Sequence, residues 1–156
     1  MSTTHAPRID MIRHGGGPFA AMVRVEERIE LDPVVRHLVK LRASQINGCA
    51  YCIDMHWTHA RELGETELRL SQIAAWRESP AFDDRERAAL ELTESVTLLS
   101  ETHVPDDVWA QAAQHFDERE LAHLLLQIAA INFWNRVAAP ARSTPASFAE
   151  AEKAAA

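Results

Sequence analysis

From Asp117 to Pro140 the chain carries one long helix signal, and this segment limits the architecture more than any other. Asp117 and Glu120 have the Asp-x-x-Glu form of a capping box, and Pro140 marks the far end. Between them, residues 121–139 are so apolar that a polar outer face is hard to draw. Such a helix belongs at the centre of a bundle or in an interface between subunits. Trp134 beside Leu124, Leu125 and Leu126 suits either place. It is not a membrane span, because His123, Gln127, Asn132, Asn135 and Arg136 interrupt a run that would need about 18 apolar residues.

The rest of the chain is punctuated for helices too. Alternating strand patterns are lacking, and Ala, Leu, Glu and Arg dominate. Asp32-Pro33 predicts a start, Asp as N-cap and Pro at the first helical position, with Val34, Val35, Leu38, Leu41 and Ile46 as its apolar stripe. Asn47-Gly48 ends that helix. The next runs from about Cys49 to Leu63-Gly64. Thr66 caps a short helix through Trp76, Asp83 with Glu86 opens one to about Leu99, and Pro105 opens one to Phe116. Three of the five glycines stand together at Gly15-Gly16-Gly17, so residues 1–17 read as an extended arm, with a helix from Pro18 to about Ile29. Residues 141–156 read as a loose tail. The expectation is an all-α, single domain of about seven helices over residues 18–140.

The 156 residues carry a net charge of −7 with a pI near 5.6 and no basic run, which argues against a nucleic-acid partner. No secretory h-region and no spanning segment are found, so the expected setting is soluble and cytoplasmic, away from membranes. Gly15-Gly16-Gly17 is not a phosphate loop, since no strand precedes it and no Gly-Lys-Ser/Thr follows.

The two cysteines, Cys49 and Cys52, stand together in GCAYCIDMH. On a helix, Cys49, Cys52, His56 and His59 recur every three or four residues and line one stripe. Cys49 falls in the first turn, where unpaired N–H groups and the dipole favour a thiolate. A thiolate attacking a peroxide gives a sulfenic acid, and a second thiol three residues away can close a disulfide. Two other readings stand beside this one. Zinc requires four converging ligands, and a single string on one helix cannot supply them; His37 or His123 would have to join. Two inert core cysteines fit the composition equally well.

LVKLRASQINGCAYCIDMHWTHARELGE, residues 38–65, resembles the core of AhpD-like alkylhydroperoxidases in the carboxymuconolactone decarboxylase superfamily, and INFWNR, residues 131–136, resembles a second segment of the same proteins. The resemblance covers roughly residues 18–140. It implies an AhpD-like helical fold with the CxxC pair at the N-terminus of a central helix, assembled as a homotrimer or homohexamer. It also implies a peroxidase acting on organic hydroperoxides or hydrogen peroxide with no cofactor, neither metal nor haem. The electrons then come from an external dithiol or a redox protein. By resemblance Cys52 is the peroxidatic cysteine, Cys49 resolves it, and His56 belongs to the proton relay. Decarboxylation is carried by members that lack the pair. The alternatives are a non-enzymatic redox-sensing or metal-binding helical oligomer, or a relative acting on another small molecule.

One position departs from the pattern. Twelve residues before Cys49 the family has a glutamate, and this chain has His37. Counted from a turn at Asn47-Gly48, His37 and His56 come nearly level on antiparallel helices, so they are expected to face each other. Histidine supplies no negative charge, so the relay is expected to have a shifted pH dependence. Among other candidates, Tyr51, Trp57 and Trp134 are expected to pack, Asp54 to be solvated, His59 to line the site or the surface, and Asn132 with Arg136 to make polar contacts. His5, His14, His103 and His115 read as surface residues.

Overall fold

The computed structural model describes residues 6–154, and His5 lies outside them. The described chain is helical with no strand: α1 (Met11–Glu27), α2 (Pro33–Ile46), α3 (Ala50–Glu62), α4 (Glu67–Ser71), α5 (Asp84–Thr97), α6 (Leu99–Thr102), α7 (Asp106–His115), α8 (Glu118–Ala141) and α9 (Ala146–Ala154), with a 3₁₀ turn at Ile73–Ala75. These are nine α-helices where about seven were expected. The described residues form a single all-α domain.

The local punctuation explains most boundaries. Asp32 Oδ1 accepts from the Val34 and Val35 N–H groups. Asp83 and Asp117 each form a complete capping box, with Glu86 and Glu120. Such caps are worth about 1 kcal/mol each. Glu120 then reaches α5, accepting from Arg85 at 2.7 Å.

Three boundaries depart from the sequence expectation. Helix α1 begins at Met11, inside the expected arm, because Asp10 caps it by accepting from the Arg13 N–H at 3.0 Å. The glycine run is a kink within α1: Gly16 sits at φ 49°, ψ −132°, a conformation glycine tolerates. Residues 146–154 of the expected loose tail form α9, for which an Ala-rich stretch has good propensity. Pro140 falls inside α8, one residue before its last, and Arg142 terminates the helix in the left-handed region at φ 54°.

Helix α8 is the centre of the bundle. It packs against α1, α2, α3, α5 and α7, and Leu124, Ile128 and Ile131 are fully buried. Each such side chain contributes about 1.5–3 kcal/mol by burial. One apolar cluster joins α2, α5, α7 and α8 through Val39, Leu92, Ala112 and Leu124. A second joins α2, α3 and the 70–82 segment through Leu38, Leu41, Ile73 and Trp76. Glu94 on α5 ties these together by accepting from Arg42 and Trp76, at 2.6 and 2.8 Å. A third, smaller cluster holds Cys49 and Cys52 against Ala43, Ile131 and Ala138. Helix α1 has no buried residue and lies on the outside of the bundle. Among the described residues no helix is long and apolar enough to cross a membrane.

Candidate active site

Helices α2 and α3 form an antiparallel hairpin, turned at Asn47 and at Gly48, whose φ is +63°. That turn fixes where the cysteines begin. The Cys49 N–H donates to the Ser44 carbonyl at 3.0 Å. The Asn47 amide donates to the side-chain oxygens of Asn132 and Asn135 on α8, at 3.0 and 2.9 Å, and Asn135 in turn donates to Ser44 Oγ at 3.0 Å. These amides are buried or half-buried, and the network satisfies them while clamping the hairpin to the central helix.

Cys49 is the N-cap residue of α3 and Cys52 lies in its first turn. Both side chains are buried, and their Sγ atoms stand 2.7 Å apart with both cysteines free. The two thiols therefore titrate as a pair. Hydrogen bonding from Cys52, aided by the N–H groups of Cys52 and Tyr51 and the Asn135 side chain, lowers the Cys49 pKa to about 7. The same bond, with burial, pushes Cys52 up. The pair gives up a first proton readily and shares the second between the two sulfurs.

The two cysteines border different cavities. Cys52 lines a cavity of about 890 Å³, walled by Phe19, Val23, Tyr51, Met55 and Trp134. Phe19 and Trp134 meet edge to face, 5.0 Å between centroids. Cys49 lines a second cavity of about 430 Å³ with Gly48, Tyr51, Pro145 and Phe148. Tyr51, Ala138, Ser143 and Thr144 border both cavities.

His56 and His59 join Cys52 around the larger cavity. His37, on α2, brings its ring to 5.7 Å from each of them. Burial, then the Lys40 charge, then His37 and His59 hold the His56 pKa down to about 2. Burial, Lys40 and His59 lower His37 to about 4. Both imidazoles are neutral at neutral pH. Lys40 is itself paired with Glu26 of α1, whose carboxylate also accepts from Trp134 Nε1 and from Gln127.

A family model described as the carboxymuconolactone decarboxylase family matches residues 19–95. The uncharacterized protein YdfG of Bacillus subtilis is 42% identical over 116 residues, which are 74% of this chain and 79% of that protein. The chain belongs to the carboxymuconolactone decarboxylase family. A crystal structure of a protein of unknown function from Agrobacterium tumefaciens, named as a candidate antioxidant defence protein AhpD, superposes with a TM-score of 0.87 at 38% identity over 90% of this chain and 98% of that one. The debrominase Bmp8 shares the fold at a TM-score of 0.69 and 19% identity, over 82% of this chain and 69% of its own.

Within this family member, the residues singled out from the sequence are brought together: Cys49 and Cys52 in contact, and His37, His56 and His59 in mutual proximity. His123 is elsewhere, its Nδ1 accepting from the Glu30 N–H at 2.8 Å. Trp57 packs in the second core cluster, away from the cavity. Trp134 both packs and walls the cavity. Asp54 accepts from the Ser147 N–H at 3.1 Å. His14 and His103 are exposed, and His115 is half-buried. Lys40, Glu26, Ser44 and Asn135 were missed. Lys40 had a signal, lying three residues after His37 on the same face. Asn135 had one as a polar residue in an apolar helix. Glu26 had none, since only the tertiary fold brings α1 to the cavity.

Proposed function

We propose that this protein is a thiol-dependent peroxidase that reduces organic hydroperoxides through Cys52 and Cys49. The contact between two free sulfurs at the start of α3, one of them opening onto an apolar cavity, carries the proposal. The cavity's size and aromatic walls favour an organic hydroperoxide over hydrogen peroxide.

Cys49 loses its proton first, and the Cys52 thiol hydrogen-bonds to it. Transfer of that proton to Cys49 leaves a Cys52 thiolate facing the substrate. The thiolate attacks the distal peroxide oxygen, the O–O bond breaks, and Cys52 becomes a sulfenic acid. The departing alkoxide takes the proton held by Cys49 and leaves as an alcohol. The Cys49 thiolate then attacks the Cys52 sulfur, forming the disulfide and releasing hydroxide, which solvent protonates to water. An external dithiol, small or carried on a redox protein, reduces the disulfide by exchange and becomes oxidised itself. The Cys49 side, with its separate cavity, suits its approach. His56, neutral at rest, assists the proton transfer from Cys52 by taking it up transiently as an imidazolium, with His37 as the second member of the relay.

From its sequence the protein is also proposed to be cytoplasmic, and by resemblance to assemble as a homotrimer or homohexamer, whose order light scattering checks. The deciding experiment is a peroxide titration read by mass spectrometry, coupled to turnover. Cumene hydroperoxide is expected to convert two thiols into one Cys49–Cys52 disulfide, and Cys52→Ser to abolish consumption. A pair that stays reduced with both organic peroxides and hydrogen peroxide refutes the peroxidase function.

A further inference from the structure

His59 has no part in the thiol chemistry, yet it completes a cluster. One ring nitrogen each from His37, His56 and His59 lies within 4.8 Å of the other two. The ring centroids are 5.7, 5.7 and 6.1 Å apart. Two of the three rings carry a second, independent mark. Nδ1 of His37 and Nδ1 of His56 are buried and make no hydrogen bond within the described structure. An imidazole nitrogen left without a partner in a protein interior costs about 1–3 kcal/mol. Two such atoms, on facing helices, call for a shared partner, and an ion is one that neutral imidazoles take.

We infer that His37, His56 and His59 form a binding site for a divalent transition-metal ion of the zinc type, with its fourth coordination position open to the large cavity beside Cys52. Three imidazoles with one open position match the ligand set of zinc sites that keep a water or an exchangeable ligand. A metal bonded to nitrogen at ~2.0–2.1 Å needs its ligand atoms about 3.3 Å apart. The present spacing of up to 4.8 Å has to close by side-chain rotation, for which the exposed His59 has the most room. The ligand form of histidine is the neutral imidazole, so binding is expected to weaken as pH falls. The nearby cation does not repel the ion outright, since Lys40 is paired with Glu26. Position 37 supplies a third imidazole, where a glutamate would give a mixed nitrogen–oxygen set. The site is thus a property of this chain's own residues, and it does not depend on the peroxidase chemistry.

The test titrates Co²⁺, whose visible d–d bands report coordination number, into the full chain carrying Cys49→Ser and Cys52→Ser, so that no thiolate can bind the ion. One equivalent is expected to bind with the intensity of a four-coordinate centre. Adding His59→Ala is expected to weaken binding by more than about tenfold. His59 is exposed, so that variant keeps the fold, which circular dichroism verifies. His37→Gln is expected to weaken it likewise. Absence of a stoichiometric Co²⁺ complex in the thiol-free chain overturns the inference. So does equal binding with and without His59. Neither readout uses turnover, so loss of peroxidase activity and loss of the metal site are separately visible.

Discussion

Replacing His37 by glutamate tests how the neutral histidine pair limits the proton relay. The ring of His37 lies 5.7 Å from that of His56. A unit charge placed there interacts with a charge on His56 by about 3 kcal/mol at an effective dielectric of about 20. Position 37 is half-buried, and solvent screening cuts this to about 1.5 kcal/mol. The sign favours the imidazolium. The His56 pKa is expected to rise from about 2 to about 3. The ring stays neutral at rest, but the transient imidazolium gains the same stabilisation, about tenfold in rate. The assay is stopped-flow consumption of cumene hydroperoxide at pH 7, with the His56 pKa followed by NMR. An unchanged pKa together with an unchanged rate refutes the coupling between the two rings. A slower His37→Glu enzyme with a raised His56 pKa refutes the relay role of His56.

Other perturbations have definite outcomes. The rate of the first turnover is expected to rise with pH through about 7, as the pair loses its first proton; a flat profile between pH 6 and 8 rejects the shared-proton scheme. In Cys49→Ser, dimedone is expected to trap a Cys52 sulfenic acid, and thiolate formation is expected to move to higher pH. His56 is neutral when folded and titrates near 6.5 when unfolded, so its folded pKa is depressed. The stability it contributes is therefore present above about pH 6.5 and lost as pH falls. Between pH 7 and pH 5 the loss is about 2 kcal/mol, seen in urea melts and absent in His56→Leu. Glu26→Gln leaves the buried Lys40 ammonium unpaired and is expected to cost about 2–3 kcal/mol, whereas Lys40→Met with Glu26→Gln recovers most of it.

The boundaries that were legible are those set by local chemistry. Asp32-Pro33, Asp83 with Glu86, and Asp117 with Glu120 each announce a helix start through side chains that bond their own backbone. Asp10 does the same for α1, but Gly15-Gly16-Gly17 hid it, because a glycine run reads as a break even where the chain only bends. The histidine of position 37 could be set opposite His56 by counting residues from Gly48. Counting could not show the environment. Neutral rings, a proton shared between the two sulfurs, and a lysine held by Glu26 all arise from burial and from helices far apart in sequence. The wide apolar surface of α8 is resolved into one buried face and an outer face on which Leu126 and Phe133 remain exposed.

Helix α9 lies against α3 and contributes Phe148 to the wall of the Cys49 cavity. Among the described residues its N-terminus is tied to α3 by the bond from the Ser147 N–H to Asp54, and Phe148 is more than half exposed. A nine-residue helix with so small a buried face opens at little free-energy cost, far below global unfolding. Amide exchange is expected to be fastest there. Lifting α9 widens access to Cys49 while leaving the Cys52 cavity untouched. The oxidising and reducing half-reactions would then run on separate clocks, the first limited by the chemistry of the thiol pair, the second by how often a short terminal helix detaches.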